Sequence, residues 1–377
     1  MQAALTDIQK HVQQSFKDFS EQRVKPFARE MDATGIFPRT LFNEVGSLGF
    51  FGMRYPETAG GSGMDVVSYC LAAIELARGS LSLAASCSMQ SLMGTWFLYK
   101  FGDESIRSNF FIPALAGKKI GAICMTEPDS GSDLMSVATK AIKTDKGYVL
   151  NGRKTWVTSA TVADFFTVLA HTAQGSLSWF LVPANTPGVM VGKAIEKMGV
   201  RASPTSEVGF VDVELPVNAL LGNEGAGPAV LKEVLAEIRI MTAALAVGVG
   251  TAAFEAAVSW AQTREQFGKP IGKFQAIQLK IADMAMRLET SRQYTLYAAS
   301  LSDAGLPRQQ EAMMAKLYAS ESAASICDTA ARVAASYGFA VEYDFERYLR
   351  DVRFTLIGGG TTEILSINIA KEILRNG

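Results

Sequence analysis

Apolar residues along this chain follow a helical period, then a strand period, then a helical period again, and that double switch leaves few architectures open. Up to about residue 118, segments such as Leu41–Leu48 and Val66–Ala77 carry apolar side chains at helical spacing. They are interrupted by Tyr55-Pro56 and by Ala59-Gly60-Gly61-Ser62-Gly63. From Gly121 to about Leu221 short β-rich runs take over: Tyr148–Leu150, Thr155–Thr158, Phe165–Ala170, Leu177–Val182, Val189–Val191 and Val208–Val213. Asn151-Gly152 and Thr186-Pro187-Gly188 read as turns between them. After Pro228 the helical pattern returns. Ile277, Ile281, Met284 and Leu288 stand at i, i+4, i+7 and i+11 on one stripe, Lys316–Ala335 is Ala-rich, and a last helix runs from near Thr361 to about Leu374.

A chain of 377 residues exceeds what one core usually organises, and 48% hydrophobic against 19% charged residues supplies ample apolar material. The expected fold is α+β: an N-terminal helical domain over 1–118, a middle β-domain over 119–227 and a C-terminal helical bundle over 228–377.

The 36 basic and 37 acidic residues are well mixed, and no basic stripe marks nucleic acid or an anionic membrane as a partner. Ile240–Phe254 is the most apolar stretch, too short to span a bilayer and followed by Glu255, so it reads as a helix buried in a bundle. The N-terminus is polar and resembles no targeting signal. Cys70, Cys87, Cys124 and Cys327 form no CxxC pair, which fits free thiols and a cytoplasmic location.

Side-chain chemistry is scarce. His11 and His171 are the two histidines, so a multi-His metal centre is excluded, and His171 reads as structural. No GxSxG elbow, phosphate loop or GxGxxG fingerprint occurs. A chain so equipped borrows its chemistry from a cofactor. Three segments suit that role. Met125-Thr-Glu-Pro-Asp-Ser-Gly-Ser-Asp133 offers hydroxyls and free N–H groups, although a capped loop explains it equally well. In Lys154–Thr158, Trp156 and Thr158 alternate onto one sheet face and suit a flat ring system, as a half-buried strand also does. In Arg264–Gly272, followed by Gln275, Arg264 suits a phosphate or the end of the preceding helix.

These segments resemble the acyl-CoA dehydrogenase family over essentially the whole chain. The anchors are TEPDSGSD at 126–133, NGRKTWVTSA at 151–160, TREQFGKPIGKFQAIQ at 263–278, and Arg350-Asp351 ahead of a Gly-rich turn and terminal helix. The resemblance implies an N-terminal helical domain, a middle β-barrel-like domain and a C-terminal four-helix bundle, with FAD between the last two. It implies Met125, Thr126, Trp156 and Thr158 around the isoalloxazine, and Ser132 near the FAD phosphates. Arg264, Phe267 and Gln275 would hold the ADP half of an FAD bound mainly to a neighbouring subunit, hence a homo-oligomer, a dimer or a tetramer built as a dimer of dimers. Thr361 and Glu363, where a helix N-terminus favours phosphate, complete the set. Arg239 falls to the substrate, an acyl thioester of CoA or an acyl carrier protein, and an electron-transfer flavoprotein is a candidate acceptor.

Two departures qualify that picture. The family's usual glutamate base, in a Tyr-Glu-Gly-Thr turn, is replaced by Gly359 within Ile357-Gly-Gly-Gly-Thr361. The alternative position, just before Arg239, holds Ile238, while Glu237 lies about 100° around the helix. Proton abstraction is commonly worth about 10²–10⁴-fold. The Gly359 backbone N–H remains for the thioester carbonyl. Further on, Arg332, Ala335 and Ser336 replace a glutamine and a Gly-Gly pair, a variation similar to that of members acting on carrier-bound acyl groups. The leading expectation is dehydrogenation at the α,β-carbons. A reductase of unsaturated thioesters, a desulfinase-type lyase that needs no base, and a degenerate flavoprotein stay open beside it.

Overall fold

A computed structural model describes residues 5–172 and 176–376. The N-terminal part is helical: α1 (Asp7–Phe19), α2 (Ala28–Thr34), α3 (Arg39–Ser47), α4 (Val66–Gly79), α5 (Leu81–Leu92), α6 (Trp96–Phe101) and the short α7 (Glu104–Ile106) and α8 (Ile112–Leu115). Local chemistry sets the starts. The Thr6 hydroxyl accepts from the Gln9 N–H at 3.2 Å while the Gln9 side chain accepts from the Thr6 N–H at 3.0 Å, a capping box on α1. Asp65 caps α4 by accepting from the Ser68 N–H at 2.6 Å, and Ser80 both ends α4 and caps α5.

The middle of the chain forms one sheet from β1 (Gly121–Cys124), β2 (Lys140–Thr144), β3 (Gly147–Thr158), β4 (Phe165–Thr172), β5 (Leu177–Pro183), β6 (Val189–Val191), β7 (Thr205–Pro216) and β8 (Leu220–Leu221). Its order is β6-β7-β3-β2-β4-β5-β8, with β1 beside β4. The β1–β4 and β2–β4 pairs are parallel and the others antiparallel. Because β5 lines one edge of β4 along its length, β1 and β2 share the other edge in succession. Val157, Phe166, Phe180, Val182, Val208 and Phe210 pack into one cluster, so the sheet curls around its own core. Among the described residues no pairing joins β6 to β8, so this curled sheet does not close into a barrel by hydrogen bonds.

One expected turn is corrected. Asn151-Gly152 lies inside β3, where the register against β7 shifts between Leu150 and Gly152. A Cβ on Gly152 would come within 2.3 Å of the Thr139 hydroxyl, so the glycine serves a close approach to β2. Asn151 and Asp212 brace the bulge, the Asp212 N–H donating to Asn151 Oδ1 at 2.9 Å and Asn151 Nδ2 donating to Asp212 at 3.1 Å.

The C-terminal part holds α9 (Gly227–Thr263), a tight hairpin of β9 (Glu265–Gln266) and β10 (Lys269–Pro270), then α10 (Gln275–Asp303), α11 (Gln309–Ala334), α12 (Phe345–Ile357) and α13 (Thr362–Asn376). The apolar Ile240–Phe254 stretch is the middle of α9, and 83% of its most apolar window is buried inside the protein. At Gly248 a Cβ would come within 2.4 Å of the Ile74 carbonyl oxygen and 2.5 Å of Ala77 Cβ, so only glycine lets α9 lie against α4. Through this contact the N-terminal helices and the bundle share one hydrophobic core. On α10, Met284 and Leu288 are buried, while Ile277 and Ile281 pack half-buried against the same core.

The helix α11 ends at an exposed alanine. Ala335 adopts φ 54° and ψ −126°, a region that glycine occupies far more readily. Ala335→Gly should therefore raise stability by roughly 1 kcal/mol, the relief of backbone strain exceeding the added freedom of the unfolded chain. Denaturant unfolding of the two proteins measures it, and an unchanged or lower midpoint would show the backbone relaxes without cost.

Candidate active site

A cavity of about 490 Å³ opens between the middle sheet and the helices, within the range of small-molecule sites. The end of β1 supplies Met125 and Thr126, β3 supplies Thr155, Trp156 and Thr158, and the segment between β6 and β7 supplies Met198. Opposite them stand Ala85, Met89 and Met93 of α5, Ile238 and Thr242 of α9, and Gly358-Gly359 after α12.

Trp156 reaches this wall through a bulge. The β3–β7 register shifts between Lys154 and Val157, and Trp156 takes φ 57°. Strict alternation would put Lys154, Trp156 and Thr158 on one face. Instead Lys154 is fully buried while Trp156 is 59% exposed on the cavity wall, next to the Thr155 and Thr158 side chains. An indole held open beside hydroxyls is the chemistry of a surface awaiting a flat heteroaromatic ring.

The opposite wall ends in the glycine turn. Gly359 and Gly360 have φ 74° and 112°. Arg239 Nε donates to the Gly359 carbonyl at 3.2 Å, and Lys316 Nζ donates to the carbonyls of Gly360 at 2.6 Å and Leu356 at 3.1 Å. Burial pulls Arg239 down to about 10, with no nearby acid to restore it. Burial, and then the Arg239 charge, pulls Lys316 down to about 8. Among the described residues neither side chain makes an ion pair; Glu321 and Glu363 partly offset the shift of Lys316 from a greater distance, while nothing acidic offsets that of Arg239.

Glu237 is no substitute for the missing base. It is 6% exposed and accepts from Arg54 Nη1 at 2.7 Å, Arg308 Nε at 3.0 Å and Ser302 at 3.0 Å. Burial pushes its carboxyl up, but Arg54 and Arg308 overcome that and hold it below the ordinary carboxylate range. Among the described residues Glu196 is the carboxylate on the cavity wall, exposed on the segment between β6 and β7.

The remaining sequence-derived positions fall outside the cavity of a single chain. Ser132 is exposed on the turn preceding Asp133. Arg264 caps the end of α9, its N–H donating to the Trp260 carbonyl at 2.8 Å and its guanidinium 5.3 Å over the Tyr337 ring. Phe267 is 90% exposed at the hairpin tip with φ 52°, and Gln275 is exposed at the start of α10. Thr361 caps α13, its hydroxyl accepting from the Ile364 N–H at 3.3 Å, with Glu363 exposed in the first turn. Lys316 escaped the sequence reading, although a lysine inside the apolar run Met313-Met-Ala-Lys-Leu317 was a signal that its ammonium would need backbone partners.

An open indole on a bulged strand, threonine hydroxyls beside it and helices lining the same cavity suit a flavin, and the proteins similar to this chain are flavoprotein oxidoreductases. The chain matches the acyl-CoA dehydrogenase N-terminal domain over residues 6–118, the middle domain over 122–213 and the C-terminal domain over 225–374. It is 57% identical to benzylmalonyl-CoA dehydrogenase of Aromatoleum aromaticum over 98% of both chains. It is 37% identical to the bovine mitochondrial short-chain specific acyl-CoA dehydrogenase, over 99% of this chain and 91% of that one. Butyryl-CoA dehydrogenase from Megasphaera elsdenii superposes with a TM-score of 0.96 at 36% identity, covering 99% and 100% of the two chains. PigA, solved with FAD and proline, superposes with a TM-score of 0.96 at 29% identity over the full length of both. The chain belongs to the acyl-CoA dehydrogenase family, the FAD-dependent oxidoreductases that act on the CH–CH group of acyl-CoA.

Replacing Glu237 by Gln tests its structural assignment. The folded carboxyl titrates below its unfolded value, so its contribution is complete above the unfolded value and fades as pH falls through the folded one. Glu237→Gln should cost about 3 kcal/mol near neutral pH, with the gap to wild type closing in acid. Urea unfolding across pH measures both, and a gap that widened in acid would contradict the ion-pair account.

Proposed function

We propose that this enzyme oxidises a CoA thioester whose α-carbon bears a carboxylate, and that loss of CO2 replaces removal of the α-proton. The observation that carries this reading is the pairing of an empty base position at Gly359 with a half-buried Arg239 that has no acidic partner among the described residues. A guanidinium taken partly out of water without a counter-ion is stabilised by a ligand that supplies one. The relative at 57% identity is named for benzylmalonyl-CoA, a thioester whose α-carbon carries both a carboxylate and a benzyl group. Met89 and Met93, four residues apart on α5, suit an aromatic ring at the far end of the cavity.

The chemistry then balances without a base. Arg239 turns from the Gly359 carbonyl to the substrate carboxylate and orients the Cα–carboxylate bond. The Gly359 N–H donates to the thioester carbonyl and stabilises the negative charge that develops there. The Cα–COO bond breaks, CO2 leaves, and the electron pair stays on Cα as the thioester enolate. FAD, when bound, supplies the two-electron acceptor for the hydride that leaves Cβ. The pair on Cα becomes the Cα=Cβ bond, and no proton is transferred to the protein. A glutamate at 359 would confront the substrate carboxylate, which gives the glycine a reason to be there.

CoA is favoured over a carrier protein as the handle by the relatives named for CoA thioesters. A second copy of the chain would bring Arg264, Phe267 and Gln275 to the ADP half of FAD, since within one chain they lie outside the cavity. An electron-transferring flavoprotein would take the electrons. That expectation is supported by a structure reported with the electron transferring flavoprotein of Acidaminococcus fermentans, which superposes with a TM-score of 0.97 at 36% identity.

The test uses holoenzyme, an artificial acceptor and three thioesters: benzylmalonyl-CoA, 3-phenylpropionyl-CoA and the benzylmalonyl thioester of an acyl carrier protein. One CO2 per two electrons transferred to the acceptor, with cinnamoyl-CoA as product, is expected from the first. An unsaturated product that keeps its carboxylate, or loss of turnover in Glu196→Gln, would sink the base-free reading. Arg239→Gln should lower kcat/KM for benzylmalonyl-CoA by about 10²-fold. Gly359→Glu should reduce turnover of that substrate and raise desaturation of 3-phenylpropionyl-CoA. If both rates rise or both fall, Gly359 does not discriminate between the substrates. For the shared cofactor site, Arg264→Ala should lose FAD on gel filtration, and a stable flavin-loaded monomer of the wild type would refute it.

A further inference from the structure

Lys154 is a lysine with no solvent exposure, located one residue before the bulge that presents Thr155 and Trp156 to the cavity. Its Nζ donates to Glu127 Oε1 at 2.9 Å and to the Met125 carbonyl at 3.0 Å. One residue on, the Thr155 N–H donates to the Thr126 carbonyl at 2.9 Å. Three links within a few residues therefore join the segment carrying Met125 and Thr126 to the strand carrying Trp156 and Thr158. Glu127 is held from a third direction, accepting from the N–H groups of Ala138 at 2.6 Å and Thr139 at 2.9 Å and from the Thr139 hydroxyl at 2.5 Å.

Burial pulls the Lys154 ammonium down and pushes the Glu127 carboxyl up. Their contact, with the Thr139 and backbone donors, opposes both shifts: it carries Glu127 below the ordinary carboxylate range, while burial still leaves Lys154 below its usual value. Such a pair is weak grounds for stability, since an apolar pair of like volume is often as stable. Geometry is what it supplies. The backbone on the cavity side is strained, with Trp156 at φ 57° and Ser159 at φ 65°, and strained positions persist only where neighbours over-determine them.

We propose that the Lys154–Glu127 ion pair is a positioning device for the flavin: it locks the Met125–Thr126 and Thr155–Thr158 segments in one register, so that backbone and hydroxyl groups meet the ring edge at fixed distances. The pair is neutral as a whole, so it acts through the placement of those dipoles and not through a net charge beside the ring. It stands or falls independently of which thioester is oxidised, because it concerns the cofactor alone.

The test is made on Lys154→Met and Glu127→Gln, stripped of FAD and titrated with it. Lys154→Met leaves Glu127 its donors from Ala138 and Thr139, and Glu127→Gln removes the charge while keeping an acceptor. Both are expected to bind FAD roughly tenfold more weakly, with the visible flavin absorption band and the midpoint potential of the loaded protein displaced from wild type. Wild-type affinity, spectrum and potential in a folded variant would overturn the proposal. So would a lower melting temperature of the stripped protein with spectrum and potential unmoved, which is the signature of a purely structural pair. If Lys154→Met does not fold, the spectrum, potential and affinity of Glu127→Gln decide the matter on the same terms.

Discussion

The contact between α9 and α4 at Gly248 is the constraint on which the rest of the molecule depends. Without a side chain there the two helices touch backbone to side chain, and the N-terminal helices and the bundle become one core. The merged core fixes α5 and α9 relative to each other, and those helices carry Met89, Met93, Ile238 and Thr242 to the cavity. The curled sheet then needs only one face against this block to close the cavity from the other side. A site assembled from α5, α9, α12 and the sheet is thus held by packing far from the chemistry.

Charge is distributed unevenly between the two walls. On the sheet side Lys154 and Glu127 neutralise each other at 2.9 Å. Away from the cavity Glu237 is shared by Arg54 and Arg308, one carboxylate between two guanidinium groups. Behind the glycine turn Arg239 and Lys316 have backbone carbonyls for partners, and their depressed affinities for protons express the cost of that arrangement. Positive charge behind the turn favours anionic groups and developing enolate charge there. It also explains how a position without a side chain remains part of a working site, since the turn presents its N–H while the cations hold its carbonyls.

Much of the fold was written in local periodicity. The switch from helix to strand and back located the sheet, while Trp156 and Thr158 share the cavity wall with Thr155 because of a bulge and not by alternation. The empty base position was legible because a motif surrounds it. What the sequence withheld depends on partners remote in the chain. The bulge after Lys154 arises from pairing with β7, so alternation alone kept Lys154 on the same face as Trp156. Asn151-Gly152 carries the chemistry of a hairpin turn, but Thr139 and Asp212 recruit it into a continuous strand. Spacing put Glu237 to one side of the reacting position, but its partners Arg54 and Arg308 come from turns and loops remote in the chain. Period and propensity report on neighbours a few residues away, and these features do not.

The helix α9 has a consequence for how sequences of this kind can vary. Arg239 stands about a third of the way along and Arg264 at the far end, separated by about 25 residues and hence roughly 38 Å of helix axis. Substitutions along it change surfaces locally. A single inserted or deleted residue would instead turn one end by about 100° and shift it about 1.5 Å, moving Arg239 or Arg264 off its partner while Gly248 left its groove. The helix acts as a fixed-length gauge between two binding surfaces, so length variation among such chains belongs in the loops, and α9 must vary by exchange of residues alone.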